Sequence, residues 1–589
     1  MNFKNKEIKI SLFILIFMLL LSSCSGDIIY DENGRPIGNR NMEVTPSIDG
    51  RSLREAKSIY KDDKDESVIT MYLTVSKGNA VDGTDHTWTD VNTHSASFYQ
   101  ENGIPRYAVE GMLQVGDETG PLSGEFGFGE FAPNSIVQIR GQSSSRSAQK
   151  SYKIAIKSNE GFWRGQTNLA INKHVYDTVR FRNKLSFDLL KTIPGAFSTR
   201  TQFVHLYVKD LTENNKNAKF VDYGLYTQAE QLNKKYLQAR GLDENGQLYK
   251  AIQFNFERHP DEIKLIDDPE YNFDKFESII ETKGSDNHSK MITMLDELND
   301  YSIPIEEVFE KYFDQENYFT WLAFHLISGN KDTASQNFFL YSPQNGNKWY
   351  FMSWDNDSAW RHEQNSVFKD DKGYNFTYGV TNYWGSVLHK RVLTSPEYRN
   401  KLDDKINEIL PLLSEKIIRE KVAKYDPIVK PYLFSMPDLM YTTNTVSEYE
   451  QILEMLPKEA ALNHESYKVS LRKPMPFRIY DPEISGEEIV FKWEEAIDLN
   501  GEALKYTFEL SGDYNFANPV FAATDLYSSN VSCPVLPAGQ YFQRVTVVNE
   551  SGETQTAMEI YRAVNDLKYY GVKCFYVGLD GAVRGVVNE

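Results

Sequence analysis

The spacing of apolar residues changes midway along this chain, and that change limits the fold more than any single motif. In the first half the apolar positions fall in short runs: residues 68–75 (Val-Ile-Thr-Met-Tyr-Leu-Thr-Val), 136–140, 152–156, 203–208 and 223–227. Turns rich in Gly, Asp and Ser separate them, as expected for β-strands. The glycines between residues 120 and 129 read as one such turn. After residue 290 the spacing becomes three and four, over residues 291–298, 305–313 and 318–327. That is the signature of amphipathic helices. Ser395-Pro396-Glu397 opens a further helix with cap, first-turn proline and acidic residue in order. Strands first and helices afterwards predict an α+β body of two lobes.

The two ends differ from this body. Three lysines, an apolar stretch over residues 10–21 and Leu21-Ser22-Ser23-Cys24 read as a secretory signal over residues 1–23. The small residues before the cysteine resemble a bacterial lipobox, which makes Cys24 the expected lipidation site. Residues 24–65 are then a polar tether, and the chain is expected in the cell envelope, at the outer membrane or cell surface. From residue 474 to 565, three alternating runs (489–493, 505–510 and 541–547) predict a small all-β sandwich. Its Trp493 and the segment Leu536-Pro537-Ala538-Gly539-Gln540-Tyr541 resemble the core tryptophan and tyrosine corner of fibronectin type III modules. Residues 566–589 are read as a tail. Cys533 and Cys574 are the remaining cysteines, and an oxidising compartment permits a bond that spacing alone does not establish. A formal charge of -19 disfavours a phosphate backbone as partner, so no nucleic acid is expected.

The densest chemistry lies in residues 325–360. A helix ends at Ser328-Gly329, and Asn330-Lys331-Asp332 begins a polar loop that runs to Asn337. Two aromatic runs, 338–341 and 349–352, flank an Asn345-Gly346 turn, a strong hairpin signal. Trp354-Asp355-Asn356-Asp357 follows directly. Helix, Asp, four residues, Asn, hairpin, Asp is the order protein kinases use for phosphoryl transfer. In that reading Asp332 takes the acceptor hydroxyl proton, while Asn337 and Asp355 hold magnesium, a hard cation that takes oxygen ligands. Asp357 is either a further ligand or a solvent-facing carboxylate. Taken alone the pattern equally describes two polar turns, and Asn330-Lys331 stands where His-Arg is usual.

Upstream blocks extend the pattern. They are Val137-Gln138-Ile139-Arg140-Gly141-Gln142-Ser143-Ser144-Ser145-Arg146, then Lys150-Ser151-Tyr152-Lys153, Phe181-Arg182-Asn183-Lys184-Leu185, Gly224-Leu225-Tyr226-Thr227-Gln228-Ala229-Glu230 and Gly246-Gln247-Leu248-Tyr249-Lys250. With Trp354-Asp355 they resemble, in order, the spore-coat CotH kinase family, over about residues 66–440 of a domain read as 66–470. The resemblance implies an atypical protein-kinase-like fold that binds ATP and Mg2+ and phosphorylates Ser or Thr of a protein acceptor. It also implies Asp332 as catalytic aspartate and Lys153 as the lysine on the phosphates, with Arg140, Arg146 and Lys150 around it. Trp349, with Tyr249 opposite, would stack on adenine. Each basic residue is otherwise a solvated surface charge, and Trp349 otherwise a core tryptophan. Glu230 pairs with such a lysine or caps the helix after it. A catalytically silent surface-binding lipoprotein, or transfer of another nucleotide-derived group such as AMP, are the other functions this framework admits.

Overall fold

The computed structural model describes residues 53–213, 217–361, 375–564 and 567–585. The signal segment, Cys24 and most of the tether lie outside the described residues. The last stretch assigned to the tether, residues 53–65, belongs to the body. Glu55 is buried against Arg240 at 3.0 Å, and Asp63 and Asp65 pair with Lys191 and Lys421 at 2.8 and 2.6 Å.

The first lobe is an eight-stranded sheet. Its strands are β1 (Val68–Ser76), β2 (Ala108–Asp117), β3 (Gly120–Pro121), β4 (Ser135–Arg140), β5 (Ser151–Ile156), β6 (Asn168–Asn172), β7 (Thr201–Asp210) and β8 (Val221–Glu230). The order is β1-β7-β8-β6-β5-β4-β2-β3, and β1 pairs again with β2. Seven strands therefore close into a ring, which removes the exposed edges an open sheet would present. The β1–β7 pair is parallel and the other pairs are antiparallel. Alternating residues fill one core: Met71, Leu73 and Val75 from β1, Val137 and Ile139 from β4, Tyr152, Ile154 and Ile156 from β5. The same alternation turns Gln138, Arg140 and Lys153 to the other face, where Lys153 is exposed. The glycine-rich segment forms the short β2–β3 hairpin, with Asp117 opposite Gly120, followed by turns.

The second lobe carries a four-stranded sheet, β10-β9-β11-β12, from β9 (Gln247–Ala251), β10 (Ile280–Thr282), β11 (Phe338–Ser342) and β12 (Tyr350–Ser353). Helices surround it. The wholly buried α1 (Arg182–Leu190) packs beneath the first lobe, and α2 (Gln315–Ser328) runs through the centre of a large core. Asp314 caps α2 by accepting from Asn317 N at 2.8 Å, and Gly329 ends it in the left-handed region at φ 64°. Then come α3 (Pro396–Ile409), opening on the expected proline, α4 (Glu415–Leu433) and α5 (Glu459–Arg472). A turn after α4 ties the lobes together. Asp438 there pairs with buried Lys173 at 2.7 Å and accepts from Leu225 N at 3.1 Å. Gly224 makes room for it: φ is 75°, and a Cβ would sit 2.3 Å from an Asp438 oxygen.

The C-terminal unit is all-β. One sheet is β13 (Glu483–Ser485), β14 (Glu488–Lys492) and β17 (Asn530–Pro534). The other joins β15 (Lys505–Ser511), β16 (Pro519–Leu526), β18 (Gly539–Val548), β19 (Thr554–Thr556), β22 (Val572–Val577) and β23 (Val583–Gly585), while β20 (Ile560–Arg562) and β21 (Lys568–Tyr570) form a ribbon. Trp493 is buried, and the Tyr541 hydroxyl donates to Pro537 O at 3.0 Å. The expected tail is instead structural. β22 pairs along β18, with Val572 and Cys574 buried on one face and Phe575 and Val577 on the other. Cys533 and Cys574 are both buried and free. The unit docks on the second lobe through Lys390–Glu494, Arg478–Glu257 at 3.0 Å and Arg399 donating to Leu499 O at 3.1 Å. No described helix is long and apolar enough to cross a membrane.

Candidate functional site

Two loops that are separate in sequence are stitched into one surface. After α2, the Asn330 amide donates to Asn356 Oδ1 at 3.1 Å, and Asn356 N donates to Asn183 Oδ1 at 2.8 Å. Trp360 N donates to Ser328 O at 2.7 Å, and Trp354 N donates to Asn337 O at 3.2 Å. The hairpin does the rest: Phe338 opposes Ser353, so Asn337 and the segment from Trp354 emerge together at its open end. Asp332 sits in the single 3-10 turn Lys331–Thr333, exposed, and its side chain makes no hydrogen bond or ion pair among the described residues.

Asn337 and Asp355 both have left-handed backbones, at φ 59° and 52°. Asn and Asp tolerate that region better than other residues with a Cβ. Asp357 lies 3.5 Å from His174 Nδ1, and His174 is in turn 3.4 Å from the Asn183 amide. Behind this layer Asp177 and Arg182 form a fully buried pair at 2.6 Å, and Arg182 Nε donates to Trp360 O at 2.9 Å. The buried block at residues 181–185 therefore supports the site from below.

Facing the carboxylates is a group of cations contributed by both lobes. Asp355 is exposed to solvent, although protein crowds round its carboxyl. Desolvation, with Asp357 adding, pushes its carboxyl up to about 6, against the pull of Arg140, His174 and Lys250. Burial depresses Arg140, while Asp355 and Asp357 hold it up. Lys153 is lowered by burial and then by Lys283 and Arg140. Lys250 is lowered by burial, Lys283 and Arg140, with Glu281 and Asp355 opposing. Arg140 and Lys153 on the first sheet thus look across at Lys250 and Lys283 on the second, and neither Arg140 nor Lys153 has an ion-pair partner among the described residues. Glu281 partly compensates the far side, 2.8 Å from Lys283 and 3.8 Å from Lys250. Arg140 and Lys153, without ion pairs among the described residues, could accommodate an anion beside the crowded Asp355 carboxylate.

Several expected site residues fall elsewhere. Lys150 is buried and donates to Ser145 O at 2.6 Å, fixing the turn Ser143–Arg146 rather than reaching for a phosphate. Arg146 stands exposed at the end of that turn. Tyr249 and Trp349 do meet, with ring centroids 6.0 Å apart, but both are fully buried in the second-lobe core. Neither offers a free face to adenine, which corrects the stacking expectation in favour of the core reading. The aromatic runs that make the hairpin also put Trp349 beneath it. Glu230 pairs with Arg240 at 2.6 Å and Arg200 at 2.9 Å, and not with a lysine of β5. Sequence reasoning missed Lys250 and Lys283. Lys250 alternates with buried Tyr249 on a strand, so its outward direction was a signal available in the sequence.

The described residues hold no group of three His, Cys, Asp or Glu side chains suited to a metal. Two carboxylates and a carboxamide, Asp355, Asp357 and Asn337, still fit magnesium, which keeps several waters and needs few protein ligands. The repulsion between Asp355 and Asp357 is what a divalent cation would relieve.

A family model described as CotH kinase protein matches residues 137–467, more than half of the chain. Among solved structures, the chain is similar to the Helicobacter pylori proinflammatory kinase CtkA, at 10% identity and a TM-score of 0.27, over 54% of this chain and 94% of that one. It is also similar to the Shewanella oneidensis toxin–antitoxin complex of HipA, HipB and operator DNA, at 11% identity and a TM-score of 0.23, over 51% of this chain and 58% of that one. No curated protein matches.

Proposed function

The chain belongs to the CotH kinase protein family, and from that premise we propose that it is an extracytoplasmic lipoprotein kinase transferring the terminal phosphate of ATP, with Mg2+, to Ser or Thr of a protein acceptor. The observation that carries this reading is the approach of Arg140 and Lys250, one from each lobe, to Asp355, with Lys153 and Lys283 beside them. Arg140 and Lys153 bind the phosphates from the first lobe, and Lys250 and Lys283 from the second. Asn337, Asp355 and Asp357 supply oxygen donors to magnesium, which neutralises charge on the transferring group. Asp332 accepts the acceptor hydroxyl proton from its exposed turn.

Thermal unfolding with ATP and magnesium tests the site. At a hundred times the dissociation constant the wild type should gain about 2.7 kcal/mol. Asp355→Asn should lose the magnesium-dependent part, and it is a better choice than alanine because asparagine accepts the left-handed backbone at φ 52°. No gain in the wild type at millimolar nucleotide would remove the kinase reading and leave a surface-binding lipoprotein of the same fold. The anchor has its own test. Labelled fatty acid should be incorporated into the wild type and not into Cys24→Ala, and equal labelling of both would discard Cys24 as the lipid site.

A further inference from the structure

The segment from Asp355 to Asp357 is gripped from beneath by side chains whose hydrogen-bond roles can be assigned one after another. The backbone fixes the first. Asn356 N can only donate, so Asn183, 2.8 Å away, presents Oδ1 to it. The amide nitrogen of Asn183 is then the atom that faces His174 Nε2 at 3.4 Å, and an amide NH2 also can only donate. Nε2 therefore accepts, which leaves the ring proton on Nδ1. That nitrogen stands 3.5 Å from Asp357 Oδ2. One end of this relay holds the N–H that follows Asp355, and the other end meets the carboxylate two residues on.

The ring has little freedom to do anything else. His174 is 6% exposed and Asn183 2%, and Asn356 is fully buried. Asp177 N donates to His174 O at 2.9 Å, and Lys173 N donates to Ser151 Oγ at 2.9 Å. The turn that carries the ring is thus fastened to β5 and to the buried Asp177–Arg182 pair. The His174 backbone is left-handed, at φ 49°, a conformation that persists where the surroundings over-determine it. Asp357 is held less tightly. Its carbonyl accepts from Arg361 Nη2 at 2.6 Å, but among the described residues only His174 comes within ion-pairing distance of its carboxylate. A carboxylate has about four lone-pair sites, so one such contact turns it and leaves the others for a cation.

We infer that His174, with Asn183 behind it, is a positioning residue that turns the Asp357 carboxylate towards the metal ion. The inference rests on the kinase reading only in taking Asp357 as an oxygen donor. Residues that hydrogen-bond to metal ligands fix their orientation, and losing one typically costs about 10–100-fold in metal affinity or activity. A ring that only filled space could be replaced by any polar side chain of similar size. A ring that aims a carboxylate needs a donor at the Nδ1 position.

The test uses the detergent-solubilised full-length protein and Mn2+ alone, which takes the same oxygen ligands as Mg2+ and whose free form is counted by electron paramagnetic resonance. His174→Asn places an amide N–H near the Nδ1 position and suits the left-handed backbone. His174→Gln is closer to the ring in size, but carries its amide out to the Nε2 end and leaves Asp357 unmet. The glutamine variant should bind Mn2+ about tenfold or more weakly, and the asparagine variant within about threefold of wild type. In an Asp357→Asn background His174→Gln should cause no further loss, because its effect passes through that carboxylate. Urea midpoints without metal check that each variant folds. Asn183→Ser breaks the relay one link back and should weaken Mn2+ in the same way, which decides the matter if the glutamine variant is unstable. Wild-type affinity in both relay-breaking variants, an asparagine variant as weak as the glutamine one, or an equal loss in the Asp357→Asn background overturns the inference. So does a wild type that binds no Mn2+ at about 10 mM. A wild type that binds Mn2+ in the expected pattern but gains no stability from ATP would instead count against the kinase reading and leave the relay standing.

Discussion

Glu230→Ala is expected to destabilise the protein by about 3–5 kcal/mol, the usual result of stripping one partner from a buried charge network. Glu230 is almost wholly buried between Arg240 and Arg200, and Arg240 is shared with Glu55. Without it, Arg240 stays in the interior with one carboxylate in place of two. Burial alone would raise the Glu230 carboxyl, but Arg240 and Arg200 outweigh it and hold it at about 2, from an ordinary 4.5. A depressed carboxyl contributes stability above its unfolded value and loses it as pH falls. The contribution, about 3 kcal/mol, should be present above pH 4.5 and fade between pH 4.5 and 2. Urea denaturation at neutral pH checks the loss, through a lower midpoint at unchanged slope. A variant as stable as wild type, with the same acid limb, would show that the pairing holds nothing together.

The second large effect concerns turnover and leaves the fold alone. Asp332→Asn should slow phosphoryl transfer by about 10²–10⁴-fold, the range for losing a positioned general base. Asp332 is exposed and its side chain bonds to nothing among the described residues, so stability should move by less than about 0.5 kcal/mol. ATP and magnesium should still stabilise the variant, because the groups that hold them lie on the sheets and at the hairpin end. Comparing turnover and thermal shift in one preparation therefore separates Asp332 from Asp355. An Asp332→Asn protein that transfers phosphate at the wild-type rate would place the base elsewhere.

What the sequence showed clearly was local. The Asn345-Gly346 hairpin, the opening of α3 on Pro396 and the alternation that turns Lys153 away from Tyr152 and Ile154 each follow from neighbouring residues, and each is present. The order from Asp332 to Asn337 to Asp355 was readable for the same reason, since one hairpin sets it. Long-range contacts were not readable. The partners of Glu230 come from residues 200 and 240, and the pairing of β1 with both β2 and β7 closes a ring no local pattern announces. Trp349 and Tyr249 show a different limit. An aromatic residue on a strand has the same sequence signature whether it lines a ligand or fills a core, and only the surrounding helices decide. β22 was missed although it forms a hairpin with β23; its main partner, residues 539–544, lies some thirty positions upstream, where no local pattern points to it.

The left-handed backbone at Asn337 and Asp355 has a consequence for how this chain can change over time. Most exchanges at those positions are filtered twice, first by oxygen-donor chemistry and again by backbone shape. Aspartate to asparagine passes the second filter and keeps an oxygen donor, but gives up the negative charge that balances a metal ion. On the proposed kinase reading, a single exchange of that kind at Asp355, or at the unencumbered Asp332, would give a protein that folds, docks its C-terminal unit and holds its surface unchanged, yet transfers phosphate far more slowly. On that reading an active chain and its nearly inert descendant are one substitution apart, and their outlines would be the same.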